Sequence, residues 1–128
     1  MKEKSLLKKI SHICLHVSDF EESVKFYRDV LGLKSIADLV TENFYALDAG
    51  GVVLGIEPGG VRNTNGKAKT ENPILLQFKA DSLEDLEEMN KFLEGHEVKL
   101  KDRSTKRSYG YITNFYDPDG NKLEVLFQ

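Results

Sequence analysis

Between Ile10 and Val17 the chain alternates. Ile13, Leu15 and Val17 fall on one side of an extended strand, and His12, Cys14 and His16 fall on the other. One face is apolar and the opposite face is unusually polar. The period then changes. In SDFEESVKFYRDVLGL, the residues Phe20, Val24, Tyr27, Val30 and Leu31 recur at helical spacing. Ser18 or Asp19 is placed to cap this helix, Glu21 and Glu22 suit its positive end, and Gly32 ends it. Three short strands follow at about 34–39, 43–48 and 52–57, with Ala49-Gly50-Gly51 turning between the last two.

Residues 58–73, rich in Gly, Asn, Lys and Thr, read as a linker or a loop over a site. The pattern then restarts. ILLQFKA alternates again, with Ile74, Leu76, Phe78 and Ala80 opposite Leu75, Gln77 and Lys79. DSLEDLEEMNKFLEG is a helix capped by Asp81 or Ser82, with Leu83, Leu86, Met89, Asn90 and Leu93 on its inner side. Strands near 97–101, 110–116 and 122–127 complete the set, and KDRSTKRSYGY reads as a solvated loop before the penultimate strand.

The chain is therefore a strand-helix-strand-strand-strand unit written twice. This is an α+β arrangement of two tandem βαβββ modules, at about 8–57 and 74–127. One offset carries Phe20 onto Leu83, His12 onto Leu75 and His16 onto Lys79. Near the end of each copy, Leu54-Gly55-Ile56 corresponds to Leu123-Glu124-Val125. The phrase Asn-Phe-Tyr occurs at 43–45 and again at 114–116, and is taken as a mark of the same repeat. Each sheet buries its apolar face under a helix. The polar faces are then expected to meet around a cavity, into which Glu124 points while Leu123 and Val125 pack beneath the helix.

At 128 residues the length fits one domain, and a net charge of -3 gives no electrostatic footprint for nucleic acid. No apolar run is long enough to span a bilayer. The basic start, MKEKSLLKKI, lacks an apolar signal core, so a cytoplasmic protein is expected. The single cysteine, Cys14, excludes an internal disulfide and a cysteine-based zinc cluster, and reads as a small packing thiol. The closing LEVLFQ also matches the remnant of a viral protease site used to remove tags. DPDGN nevertheless calls for an apolar-Glu-apolar triplet in this register, so a native strand is expected through at least Glu124.

Two stretches, SHICLHVSDFEESVKFYRDVLGLK and FYDPDGNKLEV, resemble the vicinal-oxygen-chelate superfamily, which includes glyoxalase I, bleomycin-resistance proteins and extradiol dioxygenases. The resemblance runs from about Ile10 to Phe127 and implies the paired-module glyoxalase-like fold. It also implies a homodimer, a small-molecule ligand, and a divalent metal (nickel, zinc, cobalt, manganese or iron) held by first- and last-strand residues. Here His12 and Glu124 match two ligand places, with Glu124 also the proton acceptor of a lactoylglutathione-lyase type reaction. Leu75 and Gly55 stand at the other two places, so the metal is expected to be weakly held or absent.

His16 and Gln77 lie one alternate step, about 6–7 Å, from ligand places and are candidates for ligand contact. Glu57 could join them only through a bulge. Arg107 and Tyr109, in a loop that often borders the cavity in resembling families, are candidates to hold an anionic or carbonyl group. The residues leave three functions open: a metal-dependent lyase or isomerase, a metal-free drug- or metabolite-sequestering protein, and a ring-cleaving dioxygenase. The last is disfavoured by the missing second histidine.

Overall fold

The computed structural model describes residues 6–7, 9–62 and 74–128, so most of the expected linker lies outside the described residues. Its first module runs β1 (His12–Val17), α1 (Phe20–Lys25), β2 (Lys34–Ser35), β3 (Tyr45–Asp48) and β4 (Val53–Pro58). The second runs β5 (Leu76–Lys79), α2 (Leu83–Gly95), β6 (Lys101–Arg107), β7 (Gly110–Tyr116) and β8 (Lys122–Phe127). Each makes a four-stranded mixed sheet with the same order, β1-β4-β3-β2 and β5-β8-β7-β6. In both, the first strand pairs in parallel with the last, and the hairpin supplies the antiparallel part.

Local chemistry explains the helix starts. The Asp19 side chain accepts from the Glu22 amide at 3.0 Å, and Ser82 accepts from the Asp85 amide at 3.0 Å. Ser18, the other candidate cap, is occupied elsewhere, donating its hydroxyl and amide to Asp119. After Lys25 the first helix widens into a π-helical turn at Phe26–Val30, closed where the Leu31 amide donates to the Phe26 carbonyl at 2.9 Å.

One apolar cluster serves both modules. Val24, Phe26, Tyr27, Leu54 and Ile56 of the first join Leu86, Leu93, Phe115, Leu123 and Val125 of the second. The DPDGN turn ties them together. Asp117 accepts the Tyr27 hydroxyl at 2.6 Å, the Asp119 amide at 3.0 Å and the Asn121 amide at 2.8 Å. Asp119, 2 % exposed, takes Ser18 and the Arg62 guanidinium, which also reaches Glu22. Gly60 is required nearby: a Cβ there would lie 1.9 Å from the His16 carbonyl oxygen.

Three expectations are corrected. The strand expected at about 34–39 is only Lys34–Ser35, followed by a 3-10 turn at Ala37–Leu39. The stretch KDRSTKR is β6 itself, not a solvated loop, and 97–101 is largely the approach to it. Its polar side chains find partners that periodicity cannot show. Asn90 of α2 donates to the Ser104 hydroxyl at 2.6 Å, and the Ser104 amide donates to Thr113 at 2.9 Å. Asp102 and Ser104 hold positive φ, at 52° and 46°, as the strand bulges between Lys101 and Thr105. Finally, the two Asn-Phe-Tyr phrases are not equivalent. Asn114 lies within β7 opposite Glu124, whereas Ala46 takes that place in the first module and Asn43 precedes β3.

Among the described residues, no helix is long and apolar enough to cross a membrane.

Candidate ligand site

The register makes the modules superimposable rung by rung. Cys14 pairs with Gly55 and Gly55 with Ala46; Gln77 pairs with Glu124 and Glu124 with Asn114. Each module therefore presents one row across its sheet on the face turned away from its helix. In the first module that row is small and nearly apolar. A Cβ on Gly55 would lie 2.5 Å from Phe44 Cε1 and 3.3 Å from Cys14 Sγ, so the Phe44 ring fills the place of any longer side chain.

In the second module the same row is polar throughout. Gln77 Nε2 donates to Glu124 Oε1 at 2.5 Å. Asn114 Nδ2 donates to Asp102 Oδ2 at 3.2 Å, and Arg107 lies 3.6 Å from that carboxylate oxygen. Glu124 is 5 % exposed and Asn114 1 % exposed, although among the described residues no helix lies on this face. The left-handed turn at Asp102 swings its carboxylate toward Asn114, so the β6 bulge completes the row.

The structure brings together only some of the expected residues. Gln77 contacts Glu124 directly, and Arg107 joins the row through Asp102. Tyr109 is half-exposed at the hairpin tip between β6 and β7. His12 is exposed and its Nδ1 lies 2.6 Å from the Ser11 hydroxyl, with the Phe44 ring 6.3 Å away; it is not bonded to Glu124. His16 pairs across the ladder with Glu57 at 2.8 Å, which needs no bulge because the two are register partners. Partial burial and then the Glu57 carboxylate push the Cys14 thiol up, away from an activated thiolate. Asn114 and Asp102 were missed. The signal for Asn114 was its place opposite Glu124, obscured by treating the Asn-Phe-Tyr phrases as one repeat.

These donors do not fit a tightly held divalent ion. Among the described residues no three His, Cys, Asp or Glu side chains converge as a ligand set. The repeat shows why. His12 stands to Gly55 as Leu75 stands to Glu124, so at the four places expected to hold an ion each module carries one donor and one side chain that cannot ligate.

A cavity of about 220 Å³ lies at the seam between the modules. It is lined by Cys14 and His16 of β1, Ile74 and Leu76 at β5, and Asn121, Lys122 and Leu123 at β8; Glu124, expected to point into an inter-module cavity, is not among its lining residues.

Residues 9–125 match the sequence model of the Glyoxalase/Bleomycin resistance protein/Dioxygenase superfamily. The chain belongs to this superfamily. Its relatives include the uncharacterized protein YraH of Bacillus subtilis, 32 % identical with 91 % of this chain and 96 % of that protein covered. The metallothiol transferase FosB of Staphylococcus epidermidis is 28 % identical, over 91 % of this chain and 79 % of its own length. A lactoylglutathione lyase of Schizosaccharomyces pombe is 25 % identical over 94 % of this chain, which spans 47 % of that enzyme. In fold, a glyoxalase/dioxygenase from Nostoc punctiforme aligns with a TM-score of 0.80 at 21 % identity, covering 99 % of both chains. Superfamily membership accounts for the paired sheets and does not by itself fix the chemistry.

Proposed function

We propose that this superfamily member binds a small organic molecule on the free face of its second sheet, with Glu124 as the anchor, and sequesters it without metal chemistry. The observation that carries this reading is a buried carboxylate, held by neutral Gln77, on a sheet face that no helix of the described residues covers. Burying a charge there is costly and contributes nothing to the apolar core, so it has the character of a recognition group. His12, His16, Arg107 and Tyr109 are proposed as outer contacts to the ligand.

A second reading has one specific support. His12 and Glu124 occupy the two ligand places the chain retains, and lactoylglutathione lyase is among the relatives. On that reading a weakly held divalent ion would join them, and Glu124 would move a proton beside a carbonyl group.

We also propose a homodimer. Ile74 and Leu75, just before β5, are 65 % and 45 % exposed, and a second copy would cover them.

Metal analysis of freshly purified protein before any chelator, combined with an assay on the methylglyoxal–glutathione adduct, separates the first two readings. Substoichiometric metal and no turnover support sequestration. Stoichiometric metal with robust turnover overturns it.

A further inference from the structure

Resting on the assignment of the Glu124 row as the binding surface, we infer that its ligand presents a positively charged nitrogen group: an amine, amidine or guanidine. The argument comes from which hydrogen-bonding positions are filled. Glu124 Oε1 accepts from Gln77, a neutral donor. The ion pairs of the described residues go elsewhere: His16 to Glu57, Arg28 to Asp29, Arg62 to Glu22 and Asp119, Arg103 to Glu87 and Glu94, Arg107 to Asp102. Glu124 is in none of them. Among the described residues it is a buried carboxylate without a counter-charge, which proteins rarely keep without a use.

Asn114 sharpens the case independently. It is 1 % exposed and directly opposite Glu124 on β7. Its amide nitrogen is committed to Asp102, while its Oδ1 has no donor. The centre of the row thus offers a carboxylate and a carbonyl oxygen side by side, with a second carboxylate, Asp102, already paired with Arg107, beyond them. All three are acceptors. An anionic or ketonic ligand would meet like charge or unpaired lone pairs here. A metal ion would find neither a nitrogen ligand at Leu75 nor an oxygen ligand at Gly55. A planar amidinium or guanidinium supplies charge and N–H donors together, with the geometry that a carboxylate accepts in parallel.

The test uses the full chain, labelled with nitrogen-15, titrated separately with benzamidine, benzoate and nickel chloride. The side-chain amide signals of Gln77 and Asn114 report the row directly. The expected result is that benzamidine shifts both signals and benzoate does not, and that Glu124→Gln weakens benzamidine binding by about tenfold or more while its spectrum remains that of a folded protein. Benzoate shifting the same signals with equal or greater affinity overturns the inference but leaves the surface as a ligand site. Nickel saturating them at one equivalent overturns it in favour of a metal centre. Failure of every probe to move them overturns both the inference and the site on which it rests.

Discussion

The Tyr27 hydroxyl donates to the Asp117 carboxylate across 90 residues of sequence, at 2.6 Å and wholly inside the protein. It joins the helical face of the first module to the hairpin turn of the second. Tyr27→Phe removes one donor from a carboxylate that keeps three others, the amides of Asp119 and Asn121 and the Asn121 side chain. The expected loss is about 1–3 kcal/mol of stability, read from urea unfolding. An unchanged midpoint would show that the bond adds nothing to the joint.

The same contact sets an alkaline limit. Burial, then the neighbouring Asp117, pushes the Tyr27 phenol well above its ordinary range. In the unfolded chain the phenol ionises near its usual value, about 10. Above that pH the unfolded state has lost its proton while the folded state retains it, so stability falls as pH rises. The contribution is complete below about pH 10 and is lost through the alkaline range above it. Unfolding curves collected between pH 8 and pH 11 (roughly the window in which a free tyrosine titrates) should show a steeper decline for the wild type than for Tyr27→Phe.

Much of this architecture was legible in the chain. Alternation gave both first strands, and the caps at Asp19 and Ser82 gave both helices. What escaped has a common physical cause: polar residues whose partners are distant in sequence. KDRSTKR reads as solvated until Ser104 is seen to bond Asn90 and Thr113. Tyr27 reads correctly as part of the apolar stripe and is fully buried, whereas Leu83, expected on the inner side of α2, is 38 % exposed. At the site, Gln77 and Glu124 could be placed on one face from strand parity alone. Asn114 and Asp102 required the true hairpin register and a bulge that no local signal announced.

Glu124→Gln separates site from scaffold. Removing one member of a buried ion pair normally costs about 3–5 kcal/mol, because the partner is left charged. Glu124 has no such partner among the described residues, and Gln77 can still donate to a glutamine oxygen. The variant should therefore unfold at the same temperature as the wild type or a few degrees higher, about 4 °C for each kcal/mol gained in a chain of this size. A drop of ten degrees or more in a thermal melt would assign Glu124 to the fold.

The exposed apolar pair just before β5 predicts association. Ile74→Asp with Leu75→Asp places charge where apolar surface is proposed to meet a second copy. Sedimentation at micromolar concentration should show a dimer for the wild type and a monomer for the double variant. A wild type that sediments only as a monomer would count against the assembly.

Restoring ligands should change metal binding more than removing them. Leu75 stands in the second module where His12 stands in the first, on the same sheet face as Glu124 and two residues before Gln77. Leu75→His would add the nitrogen donor that the set lacks, and each added ligand shifts affinity by kilocalories. Nickel, zinc or cobalt should then bind about tenfold more tightly, or better, by calorimetry. Gly55→Glu is a different case. Its new side chain must enter where the Phe44 ring lies, 2.5 Å from the position of its Cβ. That carboxylate should add little by itself, should lower stability by about 1–3 kcal/mol through overpacking, and should contribute to metal affinity only when Phe44→Ala clears the space. Equal gains from Gly55→Glu with and without Phe44→Ala would mean that the ring yields freely. Tight metal binding by the unaltered chain would mean that His16, Gln77 or a second copy completes the ligand set.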